Sequence, residues 1–174
     1  TRHNIGFKII DAINTHFKLS KQKPKFKGLL TTGNIDSKKI YAIKPLTFMN
    51  NSGTAIKELI DYFKIDAKDV FVFHDDLDID FGKIKVKFGG SSAGHNGIAS
   101  IDKFIGTDYS RVRIGIGHPK TKKKVSNHVL EDFKEDEEER IKEITENIVK
   151  LIPTLIEKKI DLFSSKVNQS LNGI

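Results

Sequence analysis

A chain of 174 residues with 37% hydrophobic residues is the size of one domain with a single shared core. It has no cysteine, which excludes disulfides, thiolate metal sites and a thiol nucleophile and fits a reducing compartment. No stretch approaches the roughly 18 apolar residues of a membrane span, and the opening TRHNIGFKII lacks a signal-peptide pattern, so a soluble, cytoplasmic protein without membrane contact is expected. The formal charge of +7 favours anionic partners. Its distribution says more: lysines cluster at Lys18 to Lys27, at Lys83, Lys85 and Lys87, and at Lys120 to Lys124, away from the acidic run Glu135 to Glu139. That segregation predicts one basic face.

In chain order, Ile5, Ile9, Ile13 and Phe17 recur at helical spacing, with Asn4 as a cap and His3 just before the helix. The lysine-rich stretch to Lys27 reads as loop, and Phe26 to Thr32 and Lys39 to Ile43 as strands, the second stopped by Pro45. Ser52 opens a second helix with Ile56, Leu59, Ile60 and Phe63 on one side. Val70 to Phe73 reads as a buried strand ending in His74, Asp75 and Asp76. Lys83 to Phe88 alternates, so Ile84, Val86 and Phe88 are expected to face the core and three lysines the other side. A glycine-rich loop, Gly89 to Gly97, leads into a helix with Ile98, Ile101, Phe104 and Ile105, followed by a strand from Arg111 to Ile116. Glu135 to Lys159 predicts one long amphipathic helix. Interleaved strands and helices imply an α/β fold, one three-layer domain over residues 1–174 with a mixed, mostly parallel central sheet and helices on both faces.

Polar clusters precede the first three helices: Arg2-His3-Asn4, Met49-Asn50-Asn51 and Gly94-His95-Asn96-Gly97. His74-Asp75-Asp76 closes the central strand, and strand ends and helix starts are where α/β folds hold ligands. Taken alone, three Asn-containing helix starts read first as three helix caps; their coincidence with histidines points to a site. His3 is the candidate general base, because a neutral imidazole takes a proton from water near physiological pH. Asp75 is the candidate partner that orients it. Water rather than a serine is the expected nucleophile. His74, Asp75, Asp76 and Asp78 are metal-ligand types, but neighbours on a strand point to opposite sides and no His-Glu-x-x-His occurs, so neither metal nor cofactor is expected. His16, His118 and His128 read as structural or surface residues, and His74 as a support of the strand end.

The segments TRHNIG, KPLTFMNNSG, HDDLDI, KFGGSSAGHNGIASI, YSRVRIGIGHP and VSNHVLEDF, in this order, resemble bacterial peptidyl-tRNA hydrolases from Thr1 to about Phe133. The resemblance implies a monomeric enzyme that hydrolyses the ester between a peptide and the 3′ end of tRNA, recycling tRNA from dropped peptides. By motif position it gives His3 as the base and Asp75 as its supporting acid. Phe48, Asn50 and Asn96 fall at substrate-binding positions, Met49 and His95 at positions shaping the same crevice. Lys85, Lys87 and Arg113 match positions that touch tRNA phosphates, so the expected contacts are the 3′ CCA end and the acceptor-stem phosphates. Asp80-Phe81 stands where the family usually has a proline, which alters a turn. Family members also carry a strand and an Asn-bearing turn upstream of TRHN, so the natural chain is expected to extend beyond Thr1. An RNA-binding module without catalysis and a metal-dependent hydrolase are the alternatives.

Overall fold

The structure is a computed structural model and describes residues 1–119 and 125–172. Its helices are α1 (Ile5–His16), α2 (Ser52–Phe63), α3 (Asn96–Ile105), α4 (Val125–Leu130), α5 (Glu135–Ile156) and α6 (Ile160–Asn172). Its strands are β1 (Lys23–Lys25), β2 (Gly28–Ile35), β3 (Lys38–Pro45), β4 (Phe71–Asp76), β5 (Ile84–Phe88) and β6 (Ser110–Gly115). Short 3₁₀ turns at Arg2–Asn4 and Met49–Asn51 run into α1 and α2. None of the described helices is long and apolar enough to cross a membrane.

The fold is α/β, but its pairing corrects the expected mostly parallel sheet. One sheet has the order β1-β2-β3 and is antiparallel throughout. The other has the order β4-β6-β5 and is mixed. Ser110 and Ile116 donate their backbone N–H to the carbonyls of Val70 and Asp76, a parallel register for β4 and β6, while Gly89 to Tyr109 and Gly115 to Lys83 run antiparallel for β5 and β6. The physical reason lies in the connections. Asp36-Ser37 joins β2 to β3 in two residues, both with positive φ, and so short a link permits only an antiparallel hairpin.

The chain divides into two compact units, Thr1–Ile13 with Phe73–Val86 and Val112–Ile174, and Asn14–Val72 with Lys87–Arg111. In the first, Ile5, Ile9 and Ile13 form the buried stripe of α1. Gly6 lies on the same side, and a Cβ there would overlap the Phe73 carbonyl, so α1 lies directly on the backbone of β4. That close approach offsets the roughly 0.5–1 kcal/mol that glycine costs inside a helix. Ile141, Ile144, Ile148, Val149, Ile152 and Leu155 line the buried side of α5, which packs on α6. The helix expected over Glu135 to Lys159 is α5, and α6 lies beyond the stretch read from the sequence. Lys158, with φ of 62°, marks the break between them.

In the second unit, Leu30, Ile56, Leu59, Ile60, Ile101 and Tyr109 form a core flanked by Phe26, Tyr41 and Phe63. A Cβ on Gly53 would overlap the Ser100 carbonyl, so α2 and α3 approach closely, and Gly53 N–H donates to Ser100 Oγ at 2.9 Å. β1 lies within the stretch expected as loop; its three residues are all exposed, so no apolar alternation announces it. Phe88, expected in the core, is 48% exposed, because it ends an edge strand.

Candidate active site

In the first unit the turn Arg2–Asn4 delivers His3 to the end of β4. His3 Nδ1 lies 2.7 Å from Asp75 Oδ1, and the Asp75 side chain is 3% exposed against 15% for His3. An ionised carboxylate only accepts, so Nδ1 carries the hydrogen and Nε2 is left with a lone pair. That tautomer is the one a base needs.

The strand alternation separates the two adjacent acids. Asp76 Oδ2 accepts from Arg113 Nε at 2.8 Å, and Oδ1 accepts from the Asp78 amide at 2.9 Å. Asp78 itself pairs with His118 at 2.8 Å on the surface. The ligand types at the end of β4 therefore go to different partners. His74 Nδ1 lies 2.8 Å from the Asp75 carbonyl and so braces the strand end. His128 Nε2 meets the Ile116 carbonyl at 3.2 Å, and His16 lies edge-on to Phe17.

Arg2 is a residue that sequence reasoning missed. It is 3% exposed, donates to Glu137 at 2.7 Å, and lies 5.4 Å from the Phe133 ring centroid. Its amide donates to the Glu131 carbonyl at 2.9 Å. The residue next to His3 is thereby fixed to the start of α5. An arginine directly before the candidate base was the available signal, but arginine is usually exposed and its burial is not legible locally.

In the second unit, Phe48 precedes the turn Met49–Asn51 and is 89% exposed. Met49 is half-buried and anchors the turn: a Cβ on Gly97 would meet its sulfur at 2.6 Å. His95 caps α3, its Nδ1 accepting from the amides of Gly97 at 3.1 Å and Ile98 at 3.2 Å. This decides the cap reading for two of the three Asn clusters, those before α2 and α3. α3 is capped by histidine, and the N-cap of α2, Asn51, makes no side-chain cap bond. Asn50 and Asn96 are exposed, and among the described residues no hydrogen bond engages either side-chain amide. Both remain available to a ligand.

The glycine-rich loop is held by a second missed residue, Arg111, which is 2% exposed. It donates to the Ser91 carbonyl at 2.5 Å and to Asp102 Oδ1 at 2.7 Å, and Tyr109 donates to the same oxygen at 2.8 Å. Burial, and then the bond to Asp102, push the Tyr109 phenol well above its ordinary pKa. Lys85 and Lys87 are exposed on one face of β5, whereas Arg113 is mostly buried beside Asp76. The Lys120 to Lys124 cluster lies outside the described residues.

A buried carboxylate 2.7 Å behind a histidine at the end of a strand defines a class of α/β protein with a candidate water-activating site. The comparisons narrow the class. The sequence pattern of the family described as Peptidyl-tRNA hydrolase matches residues 1–173. The chain is 73% identical to the peptidyl-tRNA hydrolase of Pelagibacter ubique, over 96% of this chain and 90% of that one. It is 45% identical to that of Bartonella henselae, over 99% and 89%. The crystal structure of peptidyl-tRNA hydrolase from Acinetobacter baumannii superposes with a TM-score of 0.90 at 32% identity, covering 97% of this chain and 86% of that one. The chain belongs to the peptidyl-tRNA hydrolase family of enzymes.

Proposed function

We propose that the chain cleaves the ester between peptide and tRNA with His3 as general base and Asp75 as its supporting acid. The observation that carries this reading is the 2.7 Å contact between His3 Nδ1 and the buried Asp75 carboxylate. Water attacks the ester carbonyl carbon while His3 Nε2 takes its proton, and Asp75 stabilises the imidazolium that forms. Collapse of the tetrahedral intermediate breaks the bond to the ribose oxygen. The imidazolium returns the proton to that oxygen, leaving free peptide acid and tRNA with the base restored.

Asn50 and Asn96 serve as substrate-binding residues, an assignment supported by their exposed, unengaged amides. Phe48 stacks on a base, and Met49 and His95 hold these groups in place through the contacts at Gly97 and the α3 cap. Lys85, Lys87 and Arg113 hold acceptor-stem phosphates, with Asp76 orienting Arg113. The enzyme acts in the cytoplasm as a monomer and recycles tRNA, as one functional domain with the three-layer arrangement that its interleaved elements suggest.

The test is release of labelled peptide from N-blocked aminoacyl-tRNA. Activity that disappears in His3→Ala and persists in a strong chelator is the expected result. Activity within a few-fold of the parent in His3→Ala means that another group is the base; loss in chelator means that a metal supplies the nucleophile.

A further inference from the structure

Formal charge is unevenly divided. In the unit Asn14–Val72 with Lys87–Arg111, basic residues outnumber acidic ones two to one, while in the other unit they balance. The excess is conspicuous at β1, outside the site described above. Lys21, Lys23 and Lys25 are exposed, and among the described residues none of them pairs with a carboxylate. Lys27 differs, since Glu58 already matches it at 2.6 Å.

Strand alternation places Lys23 and Lys25 on one face. Lys25 is held rather than free: its ammonium lies 4.2 Å from the Tyr62 ring centroid and 4.9 Å from that of Phe26. Tyr62 is itself 62% exposed. A shallow surface cavity of about 540 Å³ opens here, lined by Pro24, Lys25, Lys27, Gly28, Leu46 and Thr47.

The sheet register relates this cavity to Phe48. Lys25 lies opposite Gly28, and Gly28 opposite Pro45. Two inter-strand steps, roughly 10 Å, therefore separate Lys25 from the end of β3. Leu46 and Thr47, which line the cavity, lead directly to Phe48. The Leu46 amide is bonded to the Lys27 carbonyl at 2.9 Å, which fixes that link.

We propose that this lysine-rich cavity is a binding surface for the sugar–phosphate backbone of single-stranded RNA, continuing from the base that stacks on Phe48. It deepens the functional reading above and rests on it for the role of Phe48. An RNA strand matches the whole arrangement, since its phosphates fit the unpaired ammonium groups and its bases fit the exposed rings. An acidic polypeptide would use the charges alone.

The probe is a labelled single-stranded octaribonucleotide ending in CCA, its affinity measured across salt for the full chain. Each phosphate contact in a single strand adds about 0.7 to the slope of log affinity against log salt. For Lys23→Gln/Lys25→Gln the slope falls by about 1.4, so raising salt from about 50 to 200 mM weakens the parent roughly sevenfold more than the variant. Lys23→Arg/Lys25→Arg keeps the parent slope. Lys21→Gln/Lys23→Gln leaves the Lys25 ring contacts untouched and still flattens the slope, which separates lost charge from disturbed packing. Equal slopes in parent and both Gln variants overturn the proposal, as does a glutamate peptide that displaces the RNA as well as unlabelled RNA does. Peptide release is measured in parallel: parent hydrolysis with unchanged slopes refutes only this surface, whereas absence of hydrolysis refutes the functional reading.

Discussion

Asp75→Asn is the substitution that separates a supporting acid from a structural one. The carboxylate is 2.7 Å from His3 Nδ1 and almost wholly buried, so water does not screen the contact. A hydrogen bond of this kind to a charged group is worth about 1.5–3 kcal/mol, roughly 10- to 150-fold in rate if it acts fully on the imidazolium of the transition state. The tautomer adds to that loss. When the Asn amide nitrogen faces Nδ1 it donates, Nε2 then carries the hydrogen, and that population has no base. A fall in kcat of about 10²- to 10⁴-fold with little change in KM is expected. Single-turnover release from saturating peptidyl-tRNA measures the chemical step, and a thermal melt shows whether the fold survives. His3→Ala/Asp75→Asn should be no slower than His3→Ala alone, because two residues acting as one unit are not additive. Asp75→Asn activity within threefold of the parent, or a fully additive double variant, refutes the dyad.

Gly53→Ala should lower stability by about 1–3 kcal/mol, read from denaturant midpoints, because its Cβ has no space against the Ser100 carbonyl; a neutral result would mean that α2 and α3 are not in contact there. Lys85→Ala and Lys87→Ala should each flatten the salt dependence of tRNA binding by about 0.9 in slope while leaving turnover of bound substrate unchanged. Tyr109 gives a pH signature. Its phenol is protonated in both states below the ordinary value near 10.0, and its buried contacts are then fully present. As pH rises further, the unfolded chain loses the proton and the folded one keeps it, so stability falls by up to about 1.4 kcal/mol per pH unit. Tyr109→Phe lacks this loss, and unfolding midpoints for parent and variant should converge above pH 10; parallel curves would place the phenol in water.

Helix positions were legible where one face is buried and the other wet. The spacing of Ile5, Ile9 and Ile13, and the start of α2 at Ser52, appear in the structure as read. Apolar periodicity reports exposure to a core and nothing else, which explains the errors. β1 has no residue facing inward, and its pairing with β2 is a backbone matter. α6 lies beyond the helix read at Glu135 to Lys159, and the break at Lys158 that precedes it depends on a left-handed backbone that lysine does not announce. Strand direction was likewise hidden, since alternation is the same for parallel and antiparallel neighbours.

The candidate site was legible in a different sense. His3 and Asp75 are 72 residues apart, and no local pattern specifies that they meet; each was identified by its place at an element boundary. Residues that hold those boundaries were not. Arg2 and Arg111 look like surface cations, yet each is buried and its terminal nitrogens donate to a backbone carbonyl and a carboxylate, those of Arg2 far along the chain and those of Arg111 nearer by. An unpaired buried guanidinium is costly, so both must find these partners for the turn at His3 and the loop before Asn96 to take one conformation. The candidate site therefore sits on short local motifs, while the placement of those motifs depends on buried ion pairs, Arg2 with Glu137 and Arg111 with Asp102, that a single sequence does not reveal.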